Sequence, residues 1–489
     1  MRRGVLLTAA AVLLVGPTVL AFFSGGYFDG PRFVATIVVW ALVLGLALTA
    51  PRPLPESAAG RVALAGLALI AAWTSASLSW APLSEPATDS SVRLLLYLGA
   101  LVAAASALHD RTALRAAEPA LALGAVVVIG YGLAGRLLPE LIQLDQSVRA
   151  LGRLEQPITY WNAEGALAAI GLVLCTRLAG TPSRPVAVRV LAAAGCAPLG
   201  MGIYLSYSRG AIAAALVGLI VLLAAAPSSA QLRAAGIATV AALGAALAGG
   251  VFETVASLDG SVSERQSDGV IVLVLLLVVM SAAALAAMHA CRLERRTPAR
   301  AGRLAIANRL PAVAALCVAL GLAGLVVTGL SEQGTADELS KRTGISRLSS
   351  ADSRRYDYWR VALDSFADHP LRGIGSGGFR VEWVRERPVR ESALETHSLP
   401  LEMAAELGLV GLLGLGLLVV GVGLAGRRAL RRNPELAPGA CAAVAVWGLH
   451  ATIDWDWQLP AVTLPAIVLA GALIAASEGA SEIPTGSAA

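Results

Sequence analysis

The chain alternates long apolar runs with short polar breaks from one end to the other. The runs occupy residues 4–23, 33–50, 62–80, 92–108, 117–138, 163–178, 186–205, 210–226, 232–252, 270–291, 310–330, 399–425, 437–453 and 459–476, each 16 to 27 residues long. A helix needs about twenty such residues to cross ~30 Å of hydrocarbon, and a soluble core has no use for so many. The pattern predicts an all-α polytopic integral membrane protein of about fourteen transmembrane helices with one long extracytoplasmic loop. Its parts are N-terminal spans over 1–150, central spans over 151–330, the loop over 331–396, C-terminal spans over 397–476 and a tail over 477–489.

Composition agrees: 56% of the 489 residues are hydrophobic and 15% charged, which removes the reading as two or three soluble domains. The net charge of +5 then reports orientation rather than affinity for nucleic acid. With the N-terminus inside, the alternating inside loops hold 20 of the 38 basic residues, the short outside segments 7, and the long loop 11. Long loops are discounted in this bias, so both termini are expected to be cytoplasmic. The apolar run after Met1-Arg2-Arg3 is long for a signal peptide and reads as a retained first helix. Cys175, Cys196, Cys291, Cys317 and Cys441 lie within or at the ends of apolar runs without metal-type spacing, and read as small buried residues.

Within the long loop, residues 352–366 read as an amphipathic helix with Tyr356, Trp359, Leu363 and Phe366 on one face. Arg355 and Trp359 are adjacent on its surface. Residues 369–379 follow, His-Pro-Leu-Arg-Gly-Ile-Gly-Ser-Gly-Gly-Phe. This glycine-rich segment is either a plain turn or a nest of exposed N–H groups for an anion. The loop's arginines suit an anionic ligand or simply a surface beside anionic headgroups.

Four polar features fall on the outer side. Ser208, in Ser206-Tyr207-Ser208-Arg209-Gly210, is placed to cap the helix that follows. Arg209 at that positive helix end has the wrong sign unless an anion, naturally a phosphate, sits beside it; otherwise it snorkels to headgroups. His397 precedes Leu399-Pro400, and Pro400 belongs in a first helical turn, so a helix begins at His397 or Ser398. A positive helix end there favours the neutral imidazole that a general base requires. His109, His289, His369 and His450 lack this setting. Glu406 stands two turns into a spanning run and needs a partner, for which Arg355 or Arg209 is available. Asp454 and Asp456, with Trp455 and Trp457 interleaved, form a DxD. Asp454 fits a charge-balancing role for the basic site better than a metal ligand, and the tryptophans suit an interfacial belt or a sugar-stacking face.

These residues resemble the O-antigen ligase/polymerase family of bacterial envelope proteins. The resemblance is carried by Ser208-Arg209-Gly210, by Arg355-x-x-x-Trp359, by residues 368–377 and by His397-x-x-x-Leu401 running to Glu406-x-Gly408-x-x-Gly411, in that order. It spans roughly residues 153–456, with a weaker echo at 152–162. It implies a C-type glycosyltransferase-like fold in a bacterial plasma membrane. The implied reaction is inverting transfer of a glycan from a polyprenyl-pyrophosphate carrier to an acceptor hydroxyl at the outer face, in cell-surface polysaccharide biosynthesis. No nucleotide sugar, metal or cofactor is implied. Ser208, Arg209 and Arg355 would bind the pyrophosphate, His397 would deprotonate or orient the acceptor, and Glu406 and Asp454 would complete the catalytic set. The family usually has Asn after the histidine; here it is Ser398. The partners implied are the lipid-linked donor, an acceptor that is a glycan, a lipid or a protein, and the bilayer. A lipid-linked glycan flippase or other polysaccharide transporter, a cell-wall polymerase of the shape/division type and a purely structural envelope protein are the competing readings. A transporter would show charges near the bilayer centre and two related halves, which the chain does not clearly show.

Both site segments are expected on one side of the membrane. Impermeant thiol labelling of cysteines placed in 206–209 and in 390–396 should mark both from outside. Labelling from opposite sides would leave no common pocket.

Overall fold

The structure, a computed structural model, describes residues 2–296, 355–388 and 390–479. Among these residues there are helices and no strand. In order the helices are α1 (Arg2–Ala21), α2 (Asp29–Thr49), α3 (Ala58–Ala76), α4 (Ser84–Ala107), α5 (Arg111–Leu137), α6 (Trp161–Ala179), α7 (Val186–Leu205), α8 (Arg209–Ala225), α9 (Ser229–Gly249), α10 (Glu253–Ala256), α11 (Val262–Arg296), α12 (Arg355–Asp368), α13 (Phe379–Glu386), α14 (Leu399–Arg432), α15 (Pro438–Ala451) and α16 (Pro460–Glu478). Eleven are long and apolar enough to cross a membrane, and α8 and α15 are shorter apolar helices. Thirteen predicted runs therefore coincide with helices; the run at 310–330 and Cys317 lie outside the described residues.

Several helices extend beyond their runs into polar sequence, whereas α15 is shorter than its run at both ends. The run at 117–138 belongs to a helix that starts at Arg111, because the Asp110 side chain accepts from Thr112 N at 2.8 Å and Ala113 N at 3.1 Å. Likewise α14 continues past residue 425 through arginines to Arg432. Hydropathy sees the hydrocarbon-spanning part of a helix and not its wet ends.

Helices α6 and α16 are buried along their whole apolar length, whereas α2 and α11 show most of theirs. Large apolar side chains such as Leu48 (78% exposed) and Leu247 (74%) face outward on the peripheral helices, a pattern that suits lipid and not water. The arrangement is that of a multi-pass membrane protein. A close backbone approach joins α3 to α14 through glycines. A Cβ at Gly66 would stand 2.4 Å from the Leu418 nitrogen and 2.6 Å from the Gly414 oxygen, so the two backbones touch with no side chain between them.

The connections sort into two ends. At one end the Ser57 nitrogen donates to Glu478 (2.8 Å), Arg184 donates to the Arg115 carbonyl (2.7 Å), and Arg233 pairs with Glu294 (3.0 Å). At the other end the turns at 77–83, 138–160, 206–208 and 452–459 meet the segments around α12 and α13. Alternate loops thus share an end, as up-and-down threading requires. Much of the loop 331–396, including 352–354 of its amphipathic helix, lies outside the described residues. Over the described part, α12 buries Tyr358, Val361, Ala362 and Ser365 against Trp383 and Ala405. The expected face of Tyr356, Trp359, Leu363 and Phe366 is not the buried one, and Leu363 is 52% exposed. Close packing onto α14 selects the smaller residues Ala362 and Ser365, while aromatic bulk misled the periodicity.

Replacing Gly66 by leucine should destabilise the protein by roughly 1–3 kcal/mol through overpacking. Leucine at Gly416, on α14 with open space around it, should be tolerated. Melting of the detergent-solubilised variants checks this; equal melting temperatures would contradict the glycine contact.

Candidate functional site

Asp454 stands just after α15, only 1% exposed. Its Oδ1 accepts from the Tyr160 hydroxyl (2.7 Å) and the Trp455 nitrogen (2.9 Å), and faces His397 Nδ1 at 3.3 Å. Its Oδ2 accepts from Asn162 Nδ2 (2.7 Å) and from Arg355 (2.5 Å). Each partner arrives at the end of a helix: Tyr160 and Asn162 at the start of α6, Arg355 as the first residue of α12, His397 just before α14. Burial would raise the Asp454 carboxyl, but Arg355 foremost, with His397 and His450, holds it well below the usual carboxylate range. Burial, reinforced by Asp454, pushes the Tyr160 hydroxyl far up, so it remains a donor. Burial opposes charge on Arg355, yet Asp454 more than compensates and the guanidinium stays charged.

In front of the buried carboxylate lies an open row. The side chains of Arg355 and His397 are 26% and 23% exposed, and Arg209, the first residue of α8, is exposed. The Tyr356 hydroxyl feels both Arg209 and Arg355, which links the row electrostatically. Ser208 caps α8 as expected, its Oγ accepting from Ala211 N at 3.2 Å. The His397 ring stacks on Tyr358 with centroids 5.4 Å apart. An ionised Asp454 can only accept, so Nδ1 carries a proton, and in the neutral form of the ring Nε2 is the nitrogen with the lone pair. His397 has φ of +54°, a left-handed conformation that histidine tolerates better than most residues and that costs on the order of 1 kcal/mol. The helix begins at Leu399, with Ser398 at the cap position and no side-chain cap bond.

Asp456 diverges from Asp454. Its Oδ2 lies 2.5 Å from His450 Nδ1, and His450 Nε2 faces the Ser208 Oγ at 3.5 Å. This buried file of Asp456, His450 and Ser208 supports the turn that carries Arg209. Among the described residues no group of three His, Cys, Asp or Glu is placed to hold a metal. Trp457 is 1% exposed and packs on Tyr97 and Trp447, so it belongs to the core and not to an interfacial belt. Trp455 packs between Tyr160 and Tyr27, with centroids 4.4 and 5.7 Å away.

Glu406 does not join this row. Its carboxylate accepts from the Gly377 nitrogen (2.8 Å) and the Phe379 nitrogen (3.2 Å), so its partners are backbone N–H groups at the start of α13 and not Arg355 or Arg209. The glycine-rich turn is therefore a nest whose anion is the protein's own. Gly373, at φ +70°, lies so close that a Cβ would be 2.2 Å from the Glu406 carbonyl carbon. The Gly375 nitrogen donates to the Glu406 carbonyl at 2.9 Å, and the Ser376 nitrogen to Ser77 Oγ at 3.1 Å. Little donor capacity is left there for an external phosphate.

The structure brings Arg355, His397 and Asp454 into contact, sets Ser208 and Arg209 beside them, and holds Glu406 apart. Sequence reasoning named Asp456 on this side but missed Tyr160 as a partner of Asp454, and missed the support that His450 and Asp456 give to Ser208. Tyr160 lies within the segment 152–162, whose weak resemblance was the available signal. His450 lies 242 residues from Ser208 and inside an apolar run, which gave none.

Residues 194–416 match the family model described as O-antigen ligase. The match supports assigning the chain to the O-antigen ligase/polymerase family, and with it a role in polysaccharide biosynthesis and a glycan-transferring ligase activity. No curated protein matches the chain. The matched segment contains Ser208, Arg209, Arg355, His397 and Glu406; Tyr160, Asn162, His450, Asp454 and Asp456 lie beyond it.

Asp454→Asn should cost about 3 kcal/mol or more, since it leaves Arg355 without its buried counter-charge. Leu141→Asn, on an exposed turn residue, should cost little. The measurement is thermal unfolding in detergent, and a melting temperature unchanged by Asp454→Asn would show that the carboxylate does not organise this end.

Proposed function

We propose that this family member transfers a glycan from a polyprenyl-pyrophosphate carrier to an acceptor hydroxyl at the extracytoplasmic face, with inversion and without a metal. The observation that carries the reading is the pairing of one buried carboxylate, Asp454, with both an arginine and a histidine that open outward. That pairing supplies the two things the reaction needs on one support. His397 Nε2 takes the proton of the acceptor hydroxyl as its oxygen attacks the anomeric carbon. The bond from that carbon to the pyrophosphate oxygen breaks, and the electron pair leaves with the pyrophosphate. Arg355 and Arg209 stabilise the charge that develops on this leaving group. Asp454 fixes the tautomer of His397 and balances the imidazolium that forms, as a carboxylate does in a histidine-based relay.

The proposed membrane setting follows from the arginine bias, which puts the site end outside and both termini in the cytoplasm. A carrier lipid would lie among the helices with its diphosphate at headgroup depth, level with these arginines. A C-type glycosyltransferase-like architecture and a full set of about fourteen spans belong to this reading.

The test uses purified full-length protein with a polyprenyl-pyrophosphate-linked glycan and an acceptor extract from the same envelope. Release of polyprenyl pyrophosphate is expected, reduced about 100-fold or more in His397→Ala and in Arg209→Ala. Passage of the intact lipid across vesicle membranes without cleavage would replace transfer by a flippase.

A further inference from the structure

A cavity of about 430 Å³ opens between the starts of α2, α4 and α13, at the same end as Asp454 but separate from it. Its volume is in the range of ~300–1,000 Å³ typical of small-molecule sites. Arg93 reaches it from α4, only 6% exposed. Among the described residues Arg93 has a single hydrogen bond, to Ser90 Oγ at 3.1 Å, and no carboxylate within salt-bridge distance; its Nε is buried without a partner. Arg93 feels the charge of Asp89 and Glu395, so its charge is balanced within the protein, but its buried Nε–H still lacks an acceptor that a ligand oxygen in the cavity would supply.

The rest of the wall says what that ligand is. Donors and acceptors share it: Arg32, Arg93 and Arg380 carry N–H groups and Asp29, Glu85, Asp89 and Glu395 carry carboxylates, Asp89 pairing with Arg32 at 3.0 Å and Glu395 with Arg380 at 3.3 Å. A pure anion would gain Arg93 but meet these carboxylates. An ammonium would meet the reverse. A sugar satisfies both, because each hydroxyl donates and accepts. Tyr27 and Phe28 line the same cavity, Phe28 with 60% of its surface exposed, and offer ring faces for the apolar side of a pyranose. Burial and the neighbouring Glu406 push the Glu395 carboxyl up to about 7, which lets it act as donor as well as acceptor near neutrality.

The cavity also adjoins the catalytic row. Glu395 is two residues before His397, and Gln458 bridges Glu395 (3.0 Å) to Glu402 (2.8 Å) four residues after Asp454. Tyr27 packs edge-on against Trp455, which packs edge-on against His397. One aromatic partition therefore separates the cavity from the proposed base. We propose that this cavity, with Arg93 at its floor, is a subsite for an uncharged sugar unit of the acceptor glycan. As an acceptor subsite it rests on the transfer reading above; as a sugar site it does not.

The test is ligand-observed saturation-transfer NMR on the full-length protein in lipid nanodiscs, with a panel of free hexoses, 6-deoxyhexoses, N-acetylhexosamines and hexuronic acids. At least one uncharged sugar should bind. Its affinity should fall roughly tenfold or more in Arg93→Gln, the order expected for lost hydrogen bonds to a charged group. Glu85→Trp should abolish the same signal by filling the mouth of the cavity, and Glu85 is exposed, so folding is not at stake. The proposal is overturned if no uncharged sugar binds, if only hexuronic acids do, or if neither variant changes binding. Sugar binding that follows both variants in a protein that releases no polyprenyl pyrophosphate would sink the transfer reading and leave the sugar site standing.

Discussion

The end of the bundle that carries the candidate site is held by charge buried behind a surface. Asp454 is almost fully removed from solvent, and an isolated carboxylate there would be intolerable. It is tolerated because a hydroxyl, an amide, a backbone N–H, a guanidinium and an imidazole converge on its two oxygens. Apart from the neighbouring Trp455 N–H, those groups come from the starts of three helices far apart in sequence. The same requirement that makes the carboxylate stable therefore dictates where α6, α12 and the entry to α14 must stand. Arg355 and His397 are left with one side satisfied and the other open, which is the condition for acting on a ligand.

A second anion performs the corresponding task beside it without facing outward. Glu406 fills a nest of backbone N–H groups at the start of α13, and glycines let the turn lie against the backbone of α14. The two carboxylates in the resemblance thus divide their labour: one presents side chains, the other anchors a turn. A glycine-rich turn near a basic surface invites a phosphate reading, and here the protein has occupied the nest itself.

Much of this was legible in the chain because lipid imposes a simple rule on sequence. A run of about twenty apolar residues has few alternatives to a helix, so thirteen runs and the helices agree. The cap at Ser208 and the pairing of Asp454 with basic residues were legible in the sequence. What was not legible depended on pairing across hundreds of residues. Nothing near Asp454 announces Tyr160 or Asn162, about 290 residues earlier. Glu406 was matched to arginines because opposite charges are what a sequence displays, whereas backbone N–H groups are carried by every residue and become a site only through geometry. The buried face of α12 was misassigned for a related reason: hydrophobic bulk is visible in sequence, and the closeness of a packed helix is not.

The whole burial of α6 has a consequence for how the protein is made. It is the least apolar of the eleven long helices, and it carries Asn162 and Glu164 in its first turn. In the finished molecule it meets neighbours on every side and no lipid. Along the chain, however, it precedes α15 and α16, so its polar first turn is synthesised before those companions. A segment of this kind enters the bilayer as a dependent of its neighbours, and the enclosed centre of the bundle is assembled late around it.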